Sequence, residues 1–144
     1  MTRAEILAFL RGHRLAVEAS VAPSGAAQAA VVGMVVSDEL EIFFDTVRDS
    51  RKFQNLSVNP RLAFVIGWDH EQTVQYEGVA DVPAGDELER LKQLYYAAFP
   101  DGPARLAWPG LVYVRVKPTW LRYSDFRGAE PRIVELDFSA PARP

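Results

Sequence analysis

Leu40 through Trp68, LEIFFDTVRDSRKFQNLSVNPRLAFVIGW, is the stretch that decides the architecture, because its apolar spacing changes character twice. Leu40-Glu41-Ile42-Phe43-Phe44-Asp45 is strand-like in its aromatic and β-branched content. From Ser50 to Val58 the spacing shifts, and Phe53, Leu56 and Val58 suit one buried face of a short helix. Asn59-Pro60 ends it, since the residue before a proline avoids the α region. Arg61 to Trp68 then reads as a strand again.

Working outward, the same alternation of short strands and occasional helices continues in both directions. Thr2 and Glu5 have the spacing of a capping box, and Ile6, Leu7, Phe9 and Leu10 give an apolar stripe ending at Gly12. Arg14 to Ala22 and Gln28 to Val36 read as a hairpin about Pro23-Ser24-Gly25, and Ser37-Asp38-Glu39 turns the chain into the Leu40 strand. Downstream, Asp69-His70-Glu71 is a turn before a strand over Thr73 to Val82. There Val74, Tyr76, Gly78 and Ala80 share one face. Asp86 to Phe99 carries Leu88, Leu91, Leu94, Tyr95 and Ala98 at helical spacing, with Asp86 and Glu87 in the first turn. Leu111 to Val116 and Trp120 to Tyr123, separated by Lys117-Pro118, read as closing strands. Residues 127–144, ending Ala140-Pro141-Ala142-Arg143-Pro144, read as an irregular tail, leaving 1–126 as the domain.

Short loops between sequential strands imply antiparallel pairing. The expectation is a mostly β protein, a six-stranded antiparallel barrel with inserted helices, because an open sheet of this length would leave two exposed edges. An α+β sandwich with helices on one face is the alternative.

A length of 144 residues with 49% hydrophobic content suits one domain. The net charge of −3 argues against nucleic acid or an anionic membrane as a partner and leaves small molecules or protein. Without cysteine the chain has no disulfide, thiolate nucleophile or sulfur-ligated metal. A cytoplasmic location is expected, since the start lacks the pattern of a secretory signal and no run of about 18 apolar residues occurs.

The chain's own catalytic inventory is poor. His13 lies at a helix end and His70 in a turn, and three successive residues such as Asp69-His70-Glu71 cannot converge on one metal ion. No serine occupies a Gly-x-Ser-x-Gly elbow, and no dinucleotide or Walker glycine pattern is present. Any chemistry would therefore come from a bound phosphorylated cofactor.

Arg48-Asp49-Ser50-Arg51-Lys52 is the anomaly. It crowds cations at a helix start, where the macrodipole and free N–H groups disfavour positive charge. A phosphate held by those N–H groups, by Ser50 and by Arg51 and Lys52 would make the placement favourable. Neutralisation by Asp45 and Asp49 is the other reading. Trp68, Trp108 and Trp120 suit core or dimer-interface packing, or stacking against a flat heterocycle. Gln75 alternates with Val74 and Tyr76, so it faces solvent or a cleft, where an amide can read a ring carbonyl or nitrogen.

Thr46-x-x-x-Ser50-Arg51-Lys52-x-x-x-Leu56-x-x-Asn59-Pro60-Arg61, followed by Trp68, resembles the signature stretch of the pyridoxamine 5′-phosphate oxidase-like FMN-binding split barrels. The hairpin from Val17 through Val32, the Gly78 strand and Trp120-Leu121-Arg122-Tyr123 extend the resemblance over most of residues 5–125. It implies a homodimer with FMN in clefts between subunits. Ser50, Arg51 and Lys52 would hold the phosphate, and Thr46 the phosphate or ribityl chain. The oxidases place a glutamine near the flavin ring at the position of Thr73. Gln75, two residues along on the same face, is the candidate substitute, with Trp68 and Trp120 at the ring end or the partner wall. Two departures matter. Ala29 to Val36 is uncharged where the oxidases carry an arginine and a lysine, and the chain ends without their arginine- and histidine-bearing final strand. The expectation is a flavin-dependent oxidoreductase other than a genuine pyridoxamine-phosphate oxidase, using a small-molecule substrate or electron donor. Relatives of this kind bind FMN or, in some branches, the deazaflavin F420 or heme. The alternatives are an F420-binding reductase and a non-catalytic flavin-storing or flavin-sensing module.

Overall fold

A computed structural model describes residues 1–138. The elements run α1 (Arg3–Arg11), β1 (Leu15–Val21), β2 (Ala27–Gly33), β3 (Val35–Val36), β4 (Ile42–Val47), α2 (Arg51–Val58), β5 (Arg61–Ile66), β6 (Gln72–Asp81), α3 (Gly85–Ala98), a 3₁₀ turn over Gly102–Ala107, β7 (Leu111–Asp125) and β8 (Arg132–Asp137). All pairings are antiparallel, in the order β2-β1-β5-β6-β7-β4-β3, with β8 added to β7. The end strands β2 and β3 are separated in the chain by Met34 alone, so the sheet must curl until its two ends meet. This is the split barrel that the sequence implies, with the three helices as expected and eight strands rather than six. No helix among the described residues is long and apolar enough to cross a membrane.

Ile6 and Leu10 of α1 close one end of the barrel over Phe44, Phe64, Ile66, Tyr76, Leu121 and Tyr123. The predicted capping box forms, with Thr2 Oγ1 accepting from the Glu5 N–H. A second apolar cluster, Phe43, Leu91, Tyr95 and Tyr113, seats α3 against β4 and β7. Inside the barrel the Tyr76 hydroxyl donates to the carbonyl oxygens of Leu40 (2.8 Å) and Val116 (3.1 Å), which satisfies the one polar atom of a fully buried ring.

Three expectations are corrected. First, Leu40 belongs to the turn and not to the strand: its φ is +63° and its N–H donates to the Ser37 carbonyl, so β4 begins at Ile42. Second, Leu111 to Val116 and Trp120 to Tyr123 are one strand that runs through Pro118. The missing proline N–H is harmless because β4 pairs with β7 only up to Val116 and the β8 side joins it only from Thr119, leaving β6 as the neighbour of Pro118 among the described residues. A register shift there is met by Gly78, whose added Cβ would lie 2.6 Å from the Lys117 carbonyl oxygen. Third, the stretch expected to be an irregular tail contains β8. Val134 and Leu136 alternate with the exposed Ile133, Glu135 and Asp137, and with Phe138 they pack against the main core, covering the flank of β7 that β4 no longer reaches. The tail residues 139–144 lie outside the described residues.

Candidate functional site

The basic corner is built by the turn from β4 into α2. Ser50 is the N-cap: its Oγ accepts from the Phe53 N–H at 3.2 Å, while the Thr46 hydroxyl donates to the same oxygen at 2.9 Å. Thr46 and Ser50 therefore fix the corner. The N–H groups of Arg51 and Lys52 have no acceptor within the helix, and the first turn contains no acidic residue.

The neutralisation that the neighbouring aspartates might provide does not occur. Asp45 accepts from Arg105 Nε at 2.9 Å and from the Tyr95 hydroxyl at 3.0 Å, on the α3 side of the sheet. Asp49 forms no ion pair with the corner cations among the described residues, and Arg48 lies over the Phe53 ring, 5.7 Å from its centroid.

Arg51 and Lys52 border a cavity of about 370 Å³ whose other walls come from the first hairpin: Glu18 and Ser20 of β1, Gln28 and Ala30 of β2. Asn55 of α2 fastens helix to hairpin, donating to Ser20 Oγ at 3.1 Å and Gln28 Oε1 at 2.8 Å. Glu18 is only 1% exposed, and its Oε1 is buried without a hydrogen-bond partner. Burial pushes its carboxyl above the usual range, opposed by a hydrogen bond from Ser20 and the charge of Lys52. Glu18, Gln28 and Asn55 were not singled out from the sequence. The signal available for the first of them is a charged residue between the inward positions Ala16 and Ser20.

Ser20 and Ala27 also border a second cavity of about 610 Å³ on the outer face of the sheet, with Arg61, Glu77 and Trp120. A third, of about 200 Å³, adjoins it and is lined by Val17, Ala63, Val65, Gln75 and Trp120. Gln75 and Trp120 thus line one cavity from adjacent strands. Arg122 pairs across from Gln75, with Nε 3.7 Å from Glu135. Gln72 is taken by the Tyr123 hydroxyl, which donates to it at 3.2 Å. Trp68 stands apart: Gly67, at φ +75°, turns the chain out of β5, and the indole is 53% exposed and lines none of these three cavities. The outer face of β2, β1, β5 and β6 exposes Val21, Val31, Val65 and Val79.

A curled, split antiparallel sheet with a basic cavity between a helix start and the first hairpin defines a class of small split-barrel proteins. The sequence profile of the pyridoxamine 5′-phosphate oxidase family matches residues 2–125, and the chain belongs to that family. Its fold is similar to that of a pyridoxamine 5′-phosphate oxidase-related, FMN-binding protein from Nostoc punctiforme, at 16% identity over 91% of this chain and 87% of that one, TM-score 0.70. It is likewise similar to a heme-binding protein from Mycobacterium smegmatis, at 17% identity over 95% of this chain and 59% of that one, TM-score 0.78. The heme storage protein HutZ from Vibrio cholerae is a further relative in fold, at 19% identity over 81% of this chain and 89% of that one, TM-score 0.69. No curated protein matches the sequence.

Proposed function

We propose that this chain is a homodimeric FMN-binding flavoprotein that passes hydride between small molecules, with the phosphate on Arg51 and Lys52 and the ring over Gln75 and Trp120. The observation that carries this reading is the pair of cations at the α2 start that no aspartate neutralises, facing a cavity with a buried, unpartnered carboxyl oxygen. Those groups fit a phosphate monoester, which supplies the missing negative charge and accepts from the free N–H groups. Ser50 and Thr46 hold the corner rigid.

A bound flavin supplies hydride acceptance and donation, and the protein supplies position and electrostatics. In this reading Gln75 offers an amide to the ring edge, Trp120 borders its face, and Arg122 brings positive charge beside Gln75. The exposed valines of the outer sheet face suit burial against a second copy, which would wall the outer cavities. The β2 wall of the basic cavity presents Gln28 and Ala30 and no cation, which argues against a second phosphate and hence against a pyridoxamine phosphate substrate.

F420 in place of FMN is the second reading, supported by Arg61, a third cation at the rim of the outer cavity, where a longer anionic tail would pass. Titration of the purified protein with FMN and with F420, followed by flavin fluorescence, tests both. Saturable micromolar binding of FMN supports the first reading. Uptake of F420 alone selects the second, and binding of neither overturns both.

A further inference from the structure

The Glu18 carboxyl needs an explanation that the fold does not provide. It points inward from β1, opposite the apolar Phe64 of β5, and β2 faces it with Gln28 and Ala30. Among the described residues, the charged groups that line the cavity with it are Arg51 and Lys52 of α2. A buried carboxyl oxygen without a partner is rare in native proteins, and where it lines a cavity it marks a place for a ligand atom. A phosphate monoester carries about −1.5 to −2 charges, so Arg51 and Lys52 suffice to balance it. An ionised Glu18 beside it would leave excess negative charge in a partly desolvated space. A neutral Glu18 removes that excess and adds a donor.

We propose that Glu18 is the specificity residue of this pocket, binding in its protonated form and donating from its carboxyl to a phosphate oxygen of the ligand, so that binding takes up one proton wherever the free protein holds Glu18 ionised. The proton comes from solvent, stays on the carboxyl while the ligand is bound, and returns on release; no bond to phosphorus changes. Burial of Glu18 raises its carboxyl pKa before any ligand arrives, in the direction that this binding mode needs. The pocket would thus select a terminal phosphate able to accept from a carboxylic acid, and would lose affinity as the solution becomes alkaline. This deepens the flavin reading, since it concerns the phosphate end of the same site.

The test compares the wild type with Glu18→Gln, whose amide donates without titrating, and with Glu18→Ala, which cannot donate. Affinities for FMN and for inorganic phosphate are measured between pH 5 and pH 9, and comparing the proteins at each pH cancels the ligand's own titration. The affinity advantage of Glu18→Gln over the wild type should grow by about tenfold per pH unit once Glu18 ionises in the free protein. Glu18→Ala should bind more weakly than Glu18→Gln at every pH. Calorimetry in buffers of different ionisation enthalpy should show one proton fewer taken up by Glu18→Gln than by the wild type above that point. A constant affinity ratio with equal proton counts overturns the role of Glu18 while leaving the flavin reading intact. Phosphate binding with the predicted pH signature but no preference for FMN overturns the flavin reading and keeps Glu18. Failure to bind either probe overturns both.

Discussion

The two helices that flank the barrel begin in opposite ways. α3 opens with Asp86 and Glu87 at its positive end, and Glu87 is paired with Arg90 at 2.8 Å and Arg115 at 3.2 Å. Nearby, Arg105 is held by Asp45 and Asp101, and Arg115 by Asp81 as well. α2 opens with Arg51 and Lys52, has no acid in its first turn, and turns both cations toward a cavity. One corner is electrostatically closed and the other is open. Closed charge is architecture, whereas the open charge at the α2 start is what the proposed phosphate site rests on.

The largest expected effect breaks the open corner. Replacing Arg51 and Lys52 together by alanine should weaken FMN binding by about 10²- to 10⁴-fold, as expected for two charge-assisted contacts of about 1.5–3 kcal/mol each. The melting temperature should stay nearly constant, because neither side chain makes a hydrogen bond or ion pair among the described residues. Fluorescence titration with a thermal melt checks both halves, and an unchanged affinity would place the site elsewhere. Arg105→Ala should do the reverse. It strands Asp45 and removes a partner of the Tyr95 hydroxyl, costing about 1–3 kcal/mol of stability in a denaturant titration with FMN affinity little changed. Loss of flavin affinity in that variant would show that the two corners are coupled.

The smallest effect is the pH dependence of the ligand-free fold. Burial raises the Glu18 carboxyl above its ordinary value, so the folded chain keeps a proton that the unfolded chain releases. This contribution is fully present below the unfolded value of about 4.3 and is lost as pH rises through the folded value. Glu18→Gln lacks that loss. Its melting temperature should exceed the wild type's at pH 8, with the gap closing toward pH 4, as followed by circular dichroism.

What the sequence revealed was local chemistry. The strand, cap, helix and proline stop from Ile42 to Pro60 each follow from neighbours in the chain, and the cation pair is visible there too. What stayed hidden depended on partners far away. Glu18 becomes a cavity wall only because the hairpin docks on α2, and Asp45 is unavailable to the basic corner only because Arg105 reaches it across sixty positions. β8 was obscured because Arg132, Glu135 and Asp137 dilute an apolar alternation that matters only beside β7. Pro118 looked like a strand end because the change of neighbours that makes it harmless is a property of the assembled sheet.

The Asn55 bridge has a mechanical consequence. Because one amide side chain joins Ser20 and Gln28 to the helix, an anion lodged there would grip both sides of a seam and act as a second rivet beside the first. Occupancy should therefore slow amide exchange along β2, a sheet-edge strand that is otherwise among the first to fray, and not only at the helix that carries the cations.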